Sequence, residues 1–101
     1  MTHGAHPESE SQDAVGAAEQ LVSQAWTEQL RQAARDCDTA VRACLHLRAT
    51  ALSALRRAQT DGDPRLIAAA QADLDGAVHD LADAIASRDH VHRLLAESDD
   101  R

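Results

Sequence analysis

The strongest turn signal in this sequence is the segment Asp61-Gly62-Asp63-Pro64. Glycine can adopt the left-handed conformation that closes a helix, aspartate can cap the following helix, and proline suits a first helical turn. Between residue 13 and this segment the chain has no proline and a single glycine. The segment therefore separates two long helices, which we predict over residues 13–60 and 64–97.

The composition favours helices over strands. Of the 101 residues 22 are Ala, Trp26 is the only aromatic residue, and there are only 4 Gly and 2 Pro. Ala and Leu have the highest helix propensities, whereas β-sandwiches and barrels fill their faces with β-branched and aromatic side chains. We therefore predict an all-α fold, and the length allows one domain.

Apolar residues recur every seven positions in both predicted helices, which is the pattern of a coiled-coil seam. Two long helices joined by so short a turn form an antiparallel hairpin. A seam in which many residues are Ala or Cys lets the two helix axes approach closely. The predicted seam consists of Leu30, Cys37, Cys44 and Ala51 with Ala34, Val41, Arg48 and Leu55 in the first helix, and of Ile67, Leu74, Leu81, Arg88 and Leu95 with Ala70, Ala77, Ala84 and Val91 in the second.

The two predicted helices differ in length, at about 70 Å and about 50 Å. Residues 13–26 therefore extend past the second helix, although they are partly apolar. A helix break near residues 36–39 could fold this extension back as a third helix; otherwise another chain covers it. Because a two-helix core rich in Ala buries little apolar area, we predict a homodimeric four-helix bundle. The predicted contact surface comprises Val15, Val22, Trp26 and Leu30.

Two arginines interrupt the apolar rows of the predicted seam. A charge that faces a core requires a partner, so we predict ion pairs that fix the register of the two helices. Arg48 is expected to pair with Asp73 and Asp80, and Arg88 is expected to pair with Asp36.

The net charge of −7 is unevenly distributed, with −5 over residues 1–30, +4 over residues 31–57, −7 over residues 58–100 and +1 at Arg101. The acidic total argues against nucleic-acid and membrane-surface partners, since both attract cations. The sequence shows no signal peptide and no membrane span, and 2 Cys are too few for a disulfide scaffold. We therefore expect a cytoplasmic protein.

No sequence pattern indicates a cofactor or a metal ion. Neither His-x-x-x-His nor Glu-x-x-His occurs, and there is no P-loop or glycine-rich dinucleotide turn. We therefore predict a non-catalytic protein–protein interaction or regulatory module that binds a second copy of itself, with an unidentified protein as a further candidate partner. Its predicted parts are a disordered acidic tail over residues 1–12, a helical-hairpin domain over residues 13–97 and a flexible tail over residues 98–101.

Part of the first helix resembles the first helix of the all-helical chorismate mutases. The residues that carry this resemblance are Leu30-Arg31, Asp38, Leu45 and Arg48. The resemblance implies a small helical enzyme, or a carboxylate-binding relative, in which Arg31 and Arg48 hold the two carboxylates of the substrate. The chain departs from the family near Gln59, where a catalytic Lys is expected, and it has no third helix to supply the family's Gln. A chorismate-mutase-like enzyme is the alternative function.

Overall fold

The computed structural model describes residues 6–99 and, within them, the side chains of residues 14–99. It contains two α-helices, α1 (His6–Asp61) and α2 (Pro64–Asp99), which run antiparallel and pack against each other. The predicted all-α helical hairpin is confirmed. The outer parts of the two predicted tails, residues 1–5 and 100–101, lie outside the described residues.

Helix α1 runs for 56 residues without interruption. The break considered near residues 36–39 does not occur, because the polar side chains there bond within the helix. Gln32 Nε2 donates to Asp36 Oδ1 at 2.9 Å, and the Thr39 hydroxyl donates to the Arg35 carbonyl at 3.0 Å. The helix also begins at His6, seven residues before the predicted start. Proline is tolerated in a first helical turn, so Pro7 does not prevent this earlier start.

The connection between the helices has the predicted turn chemistry. Gly62 has a φ of 76°, and its N–H donates to the Ala58 carbonyl at 3.0 Å, which closes α1 with a left-handed cap. The carboxylate of Asp63 accepts a hydrogen bond from the Arg65 N–H at 2.9 Å and so caps α2. Pro64 lies between them at the first helical position, where its missing N–H costs nothing.

The core is a single seam between the two helices. The predicted rows are buried or half-buried throughout, except at Arg48, which is exposed. Near the turn, Ile67 and Leu74 of α2 pack against buried residues of both helices. The buried apolar side chains are Leu30, Ala34, Val41, Leu55, Ala58, Ala70 and Leu81.

Two polar contacts join the helices away from the turn. The hydroxyl groups of Thr27 and Ser98 are 2.8 Å apart, which places the end of α2 level with Thr27. His92 Nε2 lies 3.4 Å from Asp38 Oδ1. Over the described residues, neither helix contains an apolar stretch long enough to cross a membrane.

Replacement of Gly62 tests the turn. We expect Gly62→Ala to lower the free energy of unfolding by about 1 kcal/mol, because a side chain disfavours the left-handed backbone even though nothing lies within 4 Å of the new Cβ. The matched control is Gly76→Ala in the middle of α2. This substitution should raise the free energy of unfolding by about 0.5–1 kcal/mol, because alanine favours a helix interior more than glycine does. Urea unfolding at low protein concentration measures both values, and equal effects of the two substitutions would contradict the cap.

Truncation of a seam leucine tests the core. Leu81 is 5% exposed, whereas Leu45 on the flank of the seam is 40% exposed. We expect Leu81→Ala to lower the free energy of unfolding by about 2–4 kcal/mol, because it leaves a cavity between the helices. Leu45→Ala should cost less than about 1 kcal/mol in the same urea titration. A larger cost at Leu45 than at Leu81 would mean that the seam is wrongly placed.

Candidate interaction surface

Helix α1 extends well beyond α2. It has 56 residues against 36, and the difference of 20 residues corresponds to about 30 Å of helix. Since the end of α2 lies level with Thr27, the excess lies at the N-terminal end of α1. We call residues 14–26 the overhang; these residues have no neighbouring helix along most of their length.

The overhang carries large apolar side chains that are exposed to solvent. The exposed fraction is 55% for Val15, 67% for Leu21, 69% for Val22 and 51% for Trp26. A helix without a neighbour has nothing against which to bury an apolar stripe, so this exposure follows from the length mismatch. A shallow groove runs along this surface and is lined by Val15, Ala18, Glu19, Val22, Ser23 and Trp26.

Trp26 marks the boundary between the overhang and the hairpin. One side of it borders a small hollow that it shares with Leu94, Glu97 and Ser98 at the end of α2, while about half of the side chain stays exposed. Leu30, one turn further on, is only 4% exposed and belongs to the core of the hairpin. The prediction that Leu30 joins the contact surface is therefore wrong for this chain, because α2 still reaches its level.

The exposed stripe of the overhang does not continue the line of the seam. At 3.6 residues per turn, Val15 and Val22 project about 90° away from the direction in which Leu30, Ala34 and Val41 meet α2. The direction of the apolar stripe changes over Val22, Trp26 and Leu30, because these residues are spaced four apart and do not alternate between steps of three and four. A partner that covers the overhang would therefore lie beside the hairpin and not in line with α2.

The predicted buried ion pairs are not formed. Arg48 is exposed, and no salt bridge within residues 14–99 joins it to Asp73 or Asp80. Arg88 is half-buried and contacts the neighbouring Asp89 (Nη2–Oδ1 3.3 Å), while Asp36 accepts its hydrogen bond from Gln32. The physical reason is the thin cross-section of 19 × 13 Å, which lets a long arginine side chain reach solvent from the edge of the seam.

The two arginines of the alternative function lie far apart. Arg31 Nη1 bonds to Glu28 Oε1 at 2.6 Å on the outer surface of α1. Arg48 follows 17 residues later on the same helix, which is about 25 Å along its axis. Within one chain these side chains do not converge on a small dicarboxylate, so a shared pocket would require arginines from two chains.

A second apolar surface, which we call the inter-helix groove, lies beside the seam in the turn-proximal half of the hairpin. It consists of two adjacent hollows. The first is lined by Leu47, Thr50 and Ala54 of α1 with Asp73, Gly76 and Asp80 of α2, and the second by Ala54, Arg57 and Asp61 with Leu66, Ala69 and Asp73. This surface is not among those predicted from the sequence. One row of α1 at intervals of seven residues does indicate a continuous flank: Trp26, Ala33, Ala40, Leu47 and Ala54.

Comparison of the chain with known protein families, with curated proteins and with solved structures gives no match. Among the described residues, no three His, Cys, Asp or Glu side chains lie close enough together to bind a metal ion. The overhang and the inter-helix groove are the candidate interaction surfaces of the described residues.

The exposure of Trp26 can be tested by fluorescence quenching, since it is the only tryptophan. We expect Leu94→Ala to raise the acrylamide quenching constant, because Leu94 helps to enclose the hollow on one side of the indole ring. Leu45→Ala, a control at an exposed leucine of α1 that lines neither this hollow nor the inter-helix groove, should leave quenching unchanged. Equal quenching constants for the two variants would contradict the placement of Trp26 against α2.

Proposed function

We propose that this chain is a non-catalytic protein-interaction module and that the overhang is its contact surface. The observation that carries the proposal is the exposure of four large apolar side chains on a helix segment with no neighbour. Burying the exposed halves of these side chains is worth on the order of 3–6 kcal/mol, before the costs of association. Three of them, Val15, Val22 and Trp26, line one groove, and contiguous apolar surface of this kind is typical of binding sites.

The geometry of the overhang favours a helical partner. A single amphipathic helix that presents residues at intervals of three and four binds most readily in a groove between other helices. Trp26 is well suited to anchor such a contact, because tryptophan contributes strongly to binding when a partner encloses it. The overhang carries Glu19 and no Arg or Lys, which favours a partner that places a basic side chain opposite Glu19.

The surroundings of the polar groups support the non-catalytic part of the proposal. Within the described residues, every charged and polar side chain keeps some exposure to solvent. Catalytic groups are more effective where water is excluded and neighbouring dipoles are fixed. The proposal also includes a cytoplasmic setting, in which the free thiols of Cys37 and Cys44 would remain reduced.

Site-specific photo-crosslinking in producing cells tests this function. A p-benzoyl-phenylalanine in place of Ala18 lies in the overhang groove, and the same residue in place of Ala86 lies on the exposed outer side of α2 as the matched control. We expect irradiation to give a protein adduct of defined mass from position 18 only. The adduct should be lost on Val22→Ser, which removes apolar surface without touching the seam.

The absence of an adduct from position 18 in a folded variant would overturn the proposed function. An adduct of equal yield from position 86 would do the same, because the contact would then not be specific to the overhang. Circular dichroism of each purified variant establishes that the helices are intact.

A further inference from the structure

The chain exposes more surface than a compact protein of its size. Its accessible surface is 7641 Å², whereas a compact monomer of 10.8 kDa exposes about 5,500 Å². The excess of about 2,000 Å² is more than twice the roughly 800 Å² that each partner buries in a stable interface of standard size. The structure therefore offers enough surface for extensive self-association.

The overhang and the inter-helix groove lie on the same side of the molecule. Trp26, Leu47 and Ala54 belong to one heptad row of α1, and Val15 and Val22 fall within about 50° of that row around the helix. In a two-fold symmetric dimer both copies use the same surface patch, so that patch must contain both the group that binds and the site that it binds to. Because one side carries both the apolar overhang and the groove, two antiparallel copies can cover each other reciprocally.

The spacing of the apolar side chains along the overhang matches the spacing of the two hollows in the inter-helix groove. Trp26 lies about 11 Å along the helix axis from the midpoint of Val15 and Val22. The two hollows of the groove are centred seven residues apart on α1, which is about 10.5 Å. In an antiparallel arrangement, Trp26 would occupy the hollow beside the partner's Gly76, and the valines would occupy the hollow beside the partner's Leu66.

This register places one pair of opposite charges together. The hollows of the groove carry Asp61, Asp73 and Asp80, all exposed, and Arg57 is the one cation lining them that can oppose Glu19. With Trp26 level with residue 50 of the partner, Glu19 lies level with the partner's Arg57. Glu19 lines the overhang groove and Arg57 lines the turn-proximal hollow. Neither side chain takes part in an ion pair within residues 14–99, so both are available. Two-fold symmetry would form this pair twice.

We propose that the partner of the overhang is a second copy of this chain, bound antiparallel so that the overhang of each copy fills the inter-helix groove of the other. This inference rests on the proposed function and names its partner. The assembly would have three helices near each end and four in the middle, where Ala33 and Ala40 allow the two α1 helices to approach closely.

A charge-exchange experiment tests the register. We expect Glu19→Arg and Arg57→Glu each to weaken self-association at least tenfold, because each places like charges together twice. An equimolar mixture of the two variants should associate within about threefold of the unaltered chain, since both contacts regain opposite charges. Arg56→Glu, the matched control at the preceding residue, which lines neither hollow, should leave association unchanged. Light scattering over a range of concentrations gives the mass of each species.

Filling the groove provides an independent test. Gly76 is exposed and has open space where a Cβ would lie, so Gly76→Leu meets no clash at its Cβ and adds bulk to the hollow proposed for Trp26. We expect it to weaken association at least tenfold with unchanged helicity. Ala86→Leu on the outer side of α2 should have no effect.

The outcomes separate this inference from the proposed function. An unaltered chain that stays at 10.8 kDa up to high micromolar concentration would overturn the second copy as the partner, while an adduct from position 18 with a different protein would still support the interaction module. A dimer whose two charge variants fail to recover on mixing would overturn the antiparallel register. Recovery on mixing, together with the loss caused by Gly76→Leu, would support the inference.

Discussion

The length mismatch between the two helices determines the surface of this molecule. A pair of helices buries one stripe on each, and only where both are present, so α1 is covered along the hairpin and uncovered beyond Thr27. The core is correspondingly small, with seven buried apolar residues among those described. Val22 is exposed and Leu30, eight residues further on, is buried, because α2 ends at a level between them.

Local sequence features predicted most of the fold. The turn follows from the conformational preferences of Gly62, Asp63 and Pro64, which act within a few residues and depend little on distant contacts. The seam follows from the seven-residue period that keeps two long helices in contact along their length. The start of α1 was less predictable, because residues near a helix end have weak preferences and Pro7 is compatible with both a tail and a first turn.

The candidate surface was predicted only in part, and the errors have a physical origin. The sequence predicts Leu30 in the contact surface because no local feature shows how far α2 reaches along α1. It predicts Arg48 in a buried pair because a heptad position implies a buried side chain in a thick bundle. In a two-helix rod the same position lies at an edge, so the guanidinium group stays hydrated. The inter-helix groove depends on residues from both helices, and the heptad row of α1 indicates only one of its two walls.

The extended shape has a hydrodynamic consequence. With extents of 94 × 19 × 13 Å, the molecule experiences more friction in solution than a sphere of equal mass and diffuses more slowly. Two antiparallel copies lying side by side would double the mass while adding little to the long dimension. Self-association would therefore make the particle thicker and more nearly isotropic, and its diffusion would slow less than the doubling of mass alone suggests.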